Sequence, residues 1–247
     1  VGLLASDGDI VVFCDSDAIC QPSFVESIIE SFDEEPEQVL HLDQLRTDSR
    51  RFYPFSYPSI DEIHRAGFIN LVEGRPEGLG DVEDRLHLAN YGAGMAARRS
   101  DLIRIGGADE HLDYLGHICG PYEMTFRLRN LGLAEHWHQR EWTYHVWHPG
   151  SSGVGNYQGP NDGRGMSTTA LFALASGRVL PLEENPGIRS LRSGKNSSAG
   201  EATALAVASD RIERWSLDRL EWQRAEESVP RHWFLRHPGL ALRWARR

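Results

Sequence analysis

The stretch Gly8-Asp9-Ile10-Val11-Val12-Phe13-Cys14-Asp15-Ser16-Asp17 organises the reading of this chain. Its apolar centre, Ile10 to Cys14, is rich in β-branched residues and lacks the alternation of a half-exposed strand, so it predicts a strand covered on both faces. Two carboxylates follow at its carboxyl end, which is where open α/β sheets bind ligands. One residue apart, Asp15 and Asp17 can turn into the same crevice, where they repel each other unless they share a cation. A hard divalent ion, Mg²⁺ or Mn²⁺, meets that need because it takes carboxylate and phosphate oxygens together. The competing reading is a strand, an Asp-rich turn and a helix start, with Pro22 at the first helical position before Ser23 to Ile29.

Downstream, a helix over 22–32 leads to a second apolar run, Val39 to Leu42, and the crossover is right for a parallel sheet. Residues 45–65, rich in Arg, Tyr, Pro and Ser, read as a surface excursion. Tyr91 to Ala97 is a small-residue strand, after which Ser100 caps a short helix that ends at Gly106-Gly107, with a loop at Ala108-Asp109-Glu110. Pro121 opens a helix that stops at Gly132. Leu133 to Trp137 and Trp142 to Trp147 read as two aromatic-rich strands. The composition then turns Gly-rich from Pro149 to Gly165, which suits a closing lid or a linker ahead of a helix over 167–176. A second break, Pro186 to Gly200, precedes a charged helical stretch from Glu201 to about Glu227.

At 247 residues with 40% hydrophobic content, the chain can bury a substantial core. Its net charge of −10 argues against a general nucleic-acid surface. No apolar stretch approaches a bilayer span, and the first residues lack a signal-type segment, so the expectation is a soluble, cytoplasmic protein. Cys14, Cys20 and Cys119 have no metal-ligand spacing. Lys195 is the only lysine, which rules out a catalytic lysine elsewhere. A start at Val1 rather than Met suggests a piece of a longer product.

These features resemble GT-A-fold glycosyltransferases of the family 2 type, including the galactosyltransferase-like C-terminal region of polypeptide sugar transferases. Gly8 to Asp17 is similar to that family's strand and DxD motif, Ile105-Gly106-Gly107-Ala108-Asp109-Glu110 to its Gly-Gly-hydrophobic-Asp-Glu loop, and Glu123 through Arg127 to Gly132 to its acidic helix. His145 lies at the spacing of a metal-binding histidine. The resemblance spans about residues 1 to 150. It implies an α/β, GT-A-type (Rossmann-like) mixed, mostly parallel sheet flanked by helices, with a nucleotide-base-binding βαβ unit before Val1. With the composition breaks it gives a catalytic domain over 1–180, followed by a linker with a helical extension over 181–247.

Carried over residue by residue, the resemblance makes Asp15, Asp17 and His145 the metal set, with Asp15 near the ribose or a water on the metal and Asp17 bridging cation and diphosphate. His148 competes with His145. The family's acidic pair falls on Gly120-Pro121 here, so the base that takes the acceptor's proton is sought at Glu123, with Asp109 and Glu110 as alternatives. Trp147 and Tyr122 are candidates for stacking on a sugar, as are Trp142 and Tyr144, and Arg164 for reaching a phosphate oxygen from the Gly-rich lid. The implied partners are a nucleotide-sugar donor and a carbohydrate or lipid-linked acceptor; by its composition the Arg- and Trp-bearing tail suits either peripheral contact with the inner membrane face or, as the better reading, an ordinary frayed terminus. Two other readings remain. One is a degenerate transferase domain that binds sugars or a partner. The other is a haloacid-dehalogenase-type phosphatase, which needs a late lysine and acidic pair; Lys195 lies in a Gly/Ser-rich break, and there is no Asp-Asp pair.

Overall fold

A computed structural model describes residues 2–15, 17–76, 94–111, 120–148, 170, 173 and 175–194, with backbone alone for 120–122. In chain order the elements are α1 (Gly2–Ala5), β1 (Ile10–Cys14), α2 (Phe24–Glu34), β2 (Gln38–Arg46), a 3-10 turn at Arg50–Phe52, α3 (Ile60–Ala66), β3 (Leu71–Val72), β4 (Arg75–Pro76), β5 (Gly94–Arg98), α4 (Arg99–Arg104), α5 (Gly120–Leu131), β6 (Ala134–His145) and α6 (Pro186–Arg192).

Four strands form one sheet in the order β1-β5-β2-β6. β5 is antiparallel to both β1 and β2, while β2 and β6 are parallel, so β1, β2 and β6 point the same way with β5 reversed among them. The predicted crossover from β1 to β2 therefore keeps strand direction but skips a position, which β5 fills. Small residues suit that place. A Cβ on Gly94 would stand 3.3 Å from both Leu42 Cβ and the Phe13 carbonyl oxygen.

Side chains alternate across the sheet with the period of two that pleating imposes. On one face Val39, Met95 and Ala97 pack with Leu102, Ile105, Met124, Leu128 and Ile188. On the other, Leu40, Leu42 and Ala96 pack against Phe24, Ile28 and Phe32 of α2. Helices thus cover both faces. A third cluster, Leu45, Phe52, Ile63, Tyr144 and Val146, closes the carboxyl end of β2 and β6 under α3.

Several expectations are corrected. β1 is not covered on both faces: Val12 is 36% exposed, because β1 lies at a margin of the sheet and a groove of about 420 Å³ lined by Ile10, Val12, Val25 and Ile29 opens between it and α2. Residues 45–65 are more than an excursion, since β2 extends to Arg46 and α3 forms behind a capping box in which Ser59 and Glu62 satisfy each other's backbone N–H. Ser100 is not the cap of α4; Arg98 holds that place and Ser100 is inside the helix. The two aromatic strands are one, β6, which absorbs the irregularity as a register shift opposite His41 and Asp43. The break at 186–200 begins with a helix, started by Asn185, whose side chain accepts from the N–H groups of Gly187 and Ile188, with Pro186 at the first position. Ile188 enters the main core, so a domain boundary at 180 would divide residues that pack together. The lid at 150–165, the helices at 201–227 and most of 167–176, and the Arg/Trp tail lie outside the described residues.

Candidate metal centre and active site

β1 and β6 stand at the two ends of the strand order, yet their carboxyl ends supply one site. The chain after Cys14 makes this possible. A turn closes with the Ala18 N–H donating to the Asp15 carbonyl at 3.1 Å, and Ile19 then bridges Tyr144 antiparallel, N–O distances 2.9 and 2.8 Å. The segment is thereby drawn across the sheet edge to β6, and Asp17 arrives beside His145. Asp17 Oδ2 is 3.2 Å from His145 Nε2 and 2.8 Å from His148 Nε2. The two imidazole nitrogens are 3.1 Å apart.

The three atoms fit a shared cation. Ligand atoms about 2.1 Å from one ion and at right angles around it stand about 3.0 Å apart, and all three separations here fall close to that value. His145 turns Nε2 into this gap, while its buried Nδ1 has no hydrogen-bond partner. One carboxylate and two imidazoles form a borderline donor set, better suited to Mn²⁺ than to Mg²⁺, which prefers oxygen alone. His148 and His145 are therefore not competitors, because both reach Asp17. The His145-x-x-His148 spacing was the sequence signal for the pair; β6 ends at His145, and both rings meet at one point.

Electrostatics agree with a crowded anionic corner. Burial raises the Asp15 carboxyl above its ordinary value, the Asp17 charge adds to this, and His145 and His148 oppose it. The hydrogen bond to His145 is the main cause that lowers Asp17 to about 2. Asp15 thus belongs to the same corner without being among the three converging ligand atoms.

Two of the acids sought as base are held in the interior. Glu123 and Arg127 are both fully buried and paired, Arg127 Nε with Glu123 Oε1 and Nη2 with Oε2. Burial raises the Glu123 carboxyl against the pull of that guanidinium. Arg127 also donates to the carbonyls of Ile105, Gly107 and Val179, so the pair ties α5 to the Gly106-Gly107 loop. Asp109, also buried, accepts from the N–H groups of His111, Leu182 and Glu183 at 3.0, 2.6 and 3.0 Å. Both carboxylates are buried and their oxygens accept from internal donors. Glu110 is half-buried and its Oε1 accepts from Asn185 Nδ2 at 2.7 Å.

Trp147 is half-buried beside the site, edge-on to Tyr53 with ring centres 5.7 Å apart and under the Arg50 guanidinium at 4.6 Å. Tyr144 is not available for stacking, being buried with its hydroxyl on Gln21 and His64. Trp142 packs against the cluster under α3. The Tyr122 side chain and Arg164 lie outside the described residues.

Among the described residues no helix is long and apolar enough to cross a membrane. Comparison with curated proteins returns no match. Residues 1–106 match the model of "Glycosyl transferase family 2", a span that includes β1 through α4 and the Asp15-Ser16-Asp17 motif and stops before α5 and the histidines. The match displaces the phosphatase reading. With its mixed sheet between helical layers, the described fold is compatible with a GT-A type, and residues 1–106 are similar to glycosyl transferase family 2.

Proposed function

We propose that this chain is a metal-dependent glycosyltransferase that moves a sugar from a nucleotide-diphosphate donor to an acceptor hydroxyl, with Mn²⁺ held by Asp17, His145 and His148. The observation that carries the reading is the convergence of these three side chains, all within 4.8 Å of one another, at the carboxyl edge of a family 2 sheet. The cation, when bound, neutralises the charge that gathers on the departing nucleoside diphosphate. The residues do the rest. Asp15, behind Asp17 in the same corner, orients the donor by accepting from its hydroxyls. Glu110, half-exposed where Glu123 and Asp109 are buried, is the carboxylate retained for taking the acceptor proton. The burial of those two acids also favours a second reading, a degenerate domain that binds a nucleotide sugar without turning it over.

Mn²⁺ binding, followed by the electron paramagnetic resonance of the free ion, and binding of a panel of UDP-, GDP- and dTDP-sugars with and without Mn²⁺ test the proposal. Asp17→Asn and His148→Ala are expected to weaken Mn²⁺ by more than the about 10–100-fold lost when a residue supporting a metal ligand is removed. Donor binding is expected only with metal. Unchanged Mn²⁺ affinity in both variants overturns the metal assignment, and metal-dependent donor binding with no transfer to any acceptor favours the degenerate reading.

A further inference from the structure

The segment between β2 and α3 presents three aromatic rings to solvent. Tyr53, Phe55 and Tyr57 are 50%, 40% and 85% exposed. Phe55 and Tyr57 meet edge to face at 4.7 Å, and Tyr53 meets Trp147 in the same manner at 5.7 Å. Trp147 precedes His148, so one end of this aromatic patch adjoins the proposed metal centre. Nothing about the core requires Tyr57 to be there. Its backbone has φ of 51°, the left-handed region that a bulky residue enters only under constraint. Strained backbone of this kind concentrates where a side chain is held for a ligand.

Each edge-to-face contact covers one face of one ring, while Tyr57, at 85% exposed, keeps most of its ring surface in solvent. The C–H face of a pyranose suits such a surface, being apolar, flat and of similar width, while its hydroxyls remain free for neighbouring donors. Arg50, whose guanidinium covers one face of Trp147, and Arg51, whose Nη2 donates to the Glu62 carbonyl, flank the rings and add donors. A lipid surface would favour a broader apolar face with several free cations. We infer that Tyr53, Phe55, Tyr57 and Trp147 form an acceptor platform for a pyranose oligosaccharide, which guides a sugar hydroxyl toward the donor at Asp17, His145 and His148. The inference rests on the transferase reading for its direction, though the platform itself is a carbohydrate-binding surface in its own right.

Saturation-transfer NMR on the full chain with cellohexaose, maltohexaose, chitohexaose and an α-mannohexaose tests it, with Mn²⁺ affinity measured in parallel. At least one hexasaccharide is expected to bind through its ring C–H protons. Tyr57→Ala and Phe55→Ala, both at exposed positions, are expected to weaken it about tenfold each, which is the loss of one good aromatic contact, with Mn²⁺ affinity and thermal midpoint unchanged. Binding by no hexasaccharide, or equal binding by the variants, overturns the inference. So does ring-dependent binding to phosphatidylglycerol vesicles without oligosaccharide binding, which would make the patch a membrane contact. Ring-dependent oligosaccharide binding in a chain that takes up no Mn²⁺ overturns the transferase reading and leaves the platform standing.

Discussion

Glu123 shows how a residue's chemistry depends on where its neighbours spend their hydrogen bonds. As an isolated acid near the start of a helix it is a candidate base; fully buried against Arg127, it is a joint between α5 and the loop after α4. A buried pair of this kind contributes little over a well-packed apolar pair, but breaking it leaves a stranded charge at about 3–5 kcal/mol. Glu123→Gln is therefore expected to lower the unfolding free energy by about that amount in urea titration, while Mn²⁺ affinity at Asp17, His145 and His148 is preserved. Equal loss of metal binding at unchanged stability would place Glu123 in the site after all.

The turn after α4 argues the same at the level of elements. Gly106 and Gly107 both adopt left-handed backbone, φ 81° and 69°. A Cβ on Gly106 would stand 2.7 Å from Pro181 Cδ and 2.9 Å from Glu184 Oε1, so the glycine allows the segment before α6 to lie directly on the turn. Ala at this position meets both the left-handed penalty of about 1–2 kcal/mol and a collision with a rigid proline ring. Gly106→Ala is expected to cost more stability than Gly132→Ala, where φ is 109° and nothing lies within 4 Å of an added Cβ; thermal unfolding of the two variants provides the comparison. The α3 helix was readable from Ser59-Ile60-Asp61-Glu62, whose S-x-x-E spacing marks a capping box, yet the Arg- and Pro-rich surroundings masked it.

For the whole molecule, the proposed cation joins the segment after β1 to the end of β6, two strands that no ladder connects directly. A ligand that binds the folded chain alone stabilises it by about 2.7 kcal/mol at a hundredfold excess over its Kd, so Mn²⁺ is expected to raise the melting temperature and Asp17→Asn to abolish the rise. A similar rise in the variant would detach the effect from this site. Local rules in the chain foretold β1 as a strand, the glycine stops of α4 and α5 and the acidic edge, because strand propensity, helix termination and the carboxyl-edge position of ligands depend on residues close in sequence, while the mixed sheet was implied by the family resemblance. They could not show that β5 lies between β1 and β2, that β6 is a single bulged strand, or that Asp109 and Glu123 face inward. These depend on which surfaces meet after the chain closes on itself. The pairing of Asp17 with both His145 and His148 is of the same kind: 128 residues separate Asp17 from His145, and it is the Ile19–Tyr144 bridge, a contact no local pattern announces, that brings them to one point.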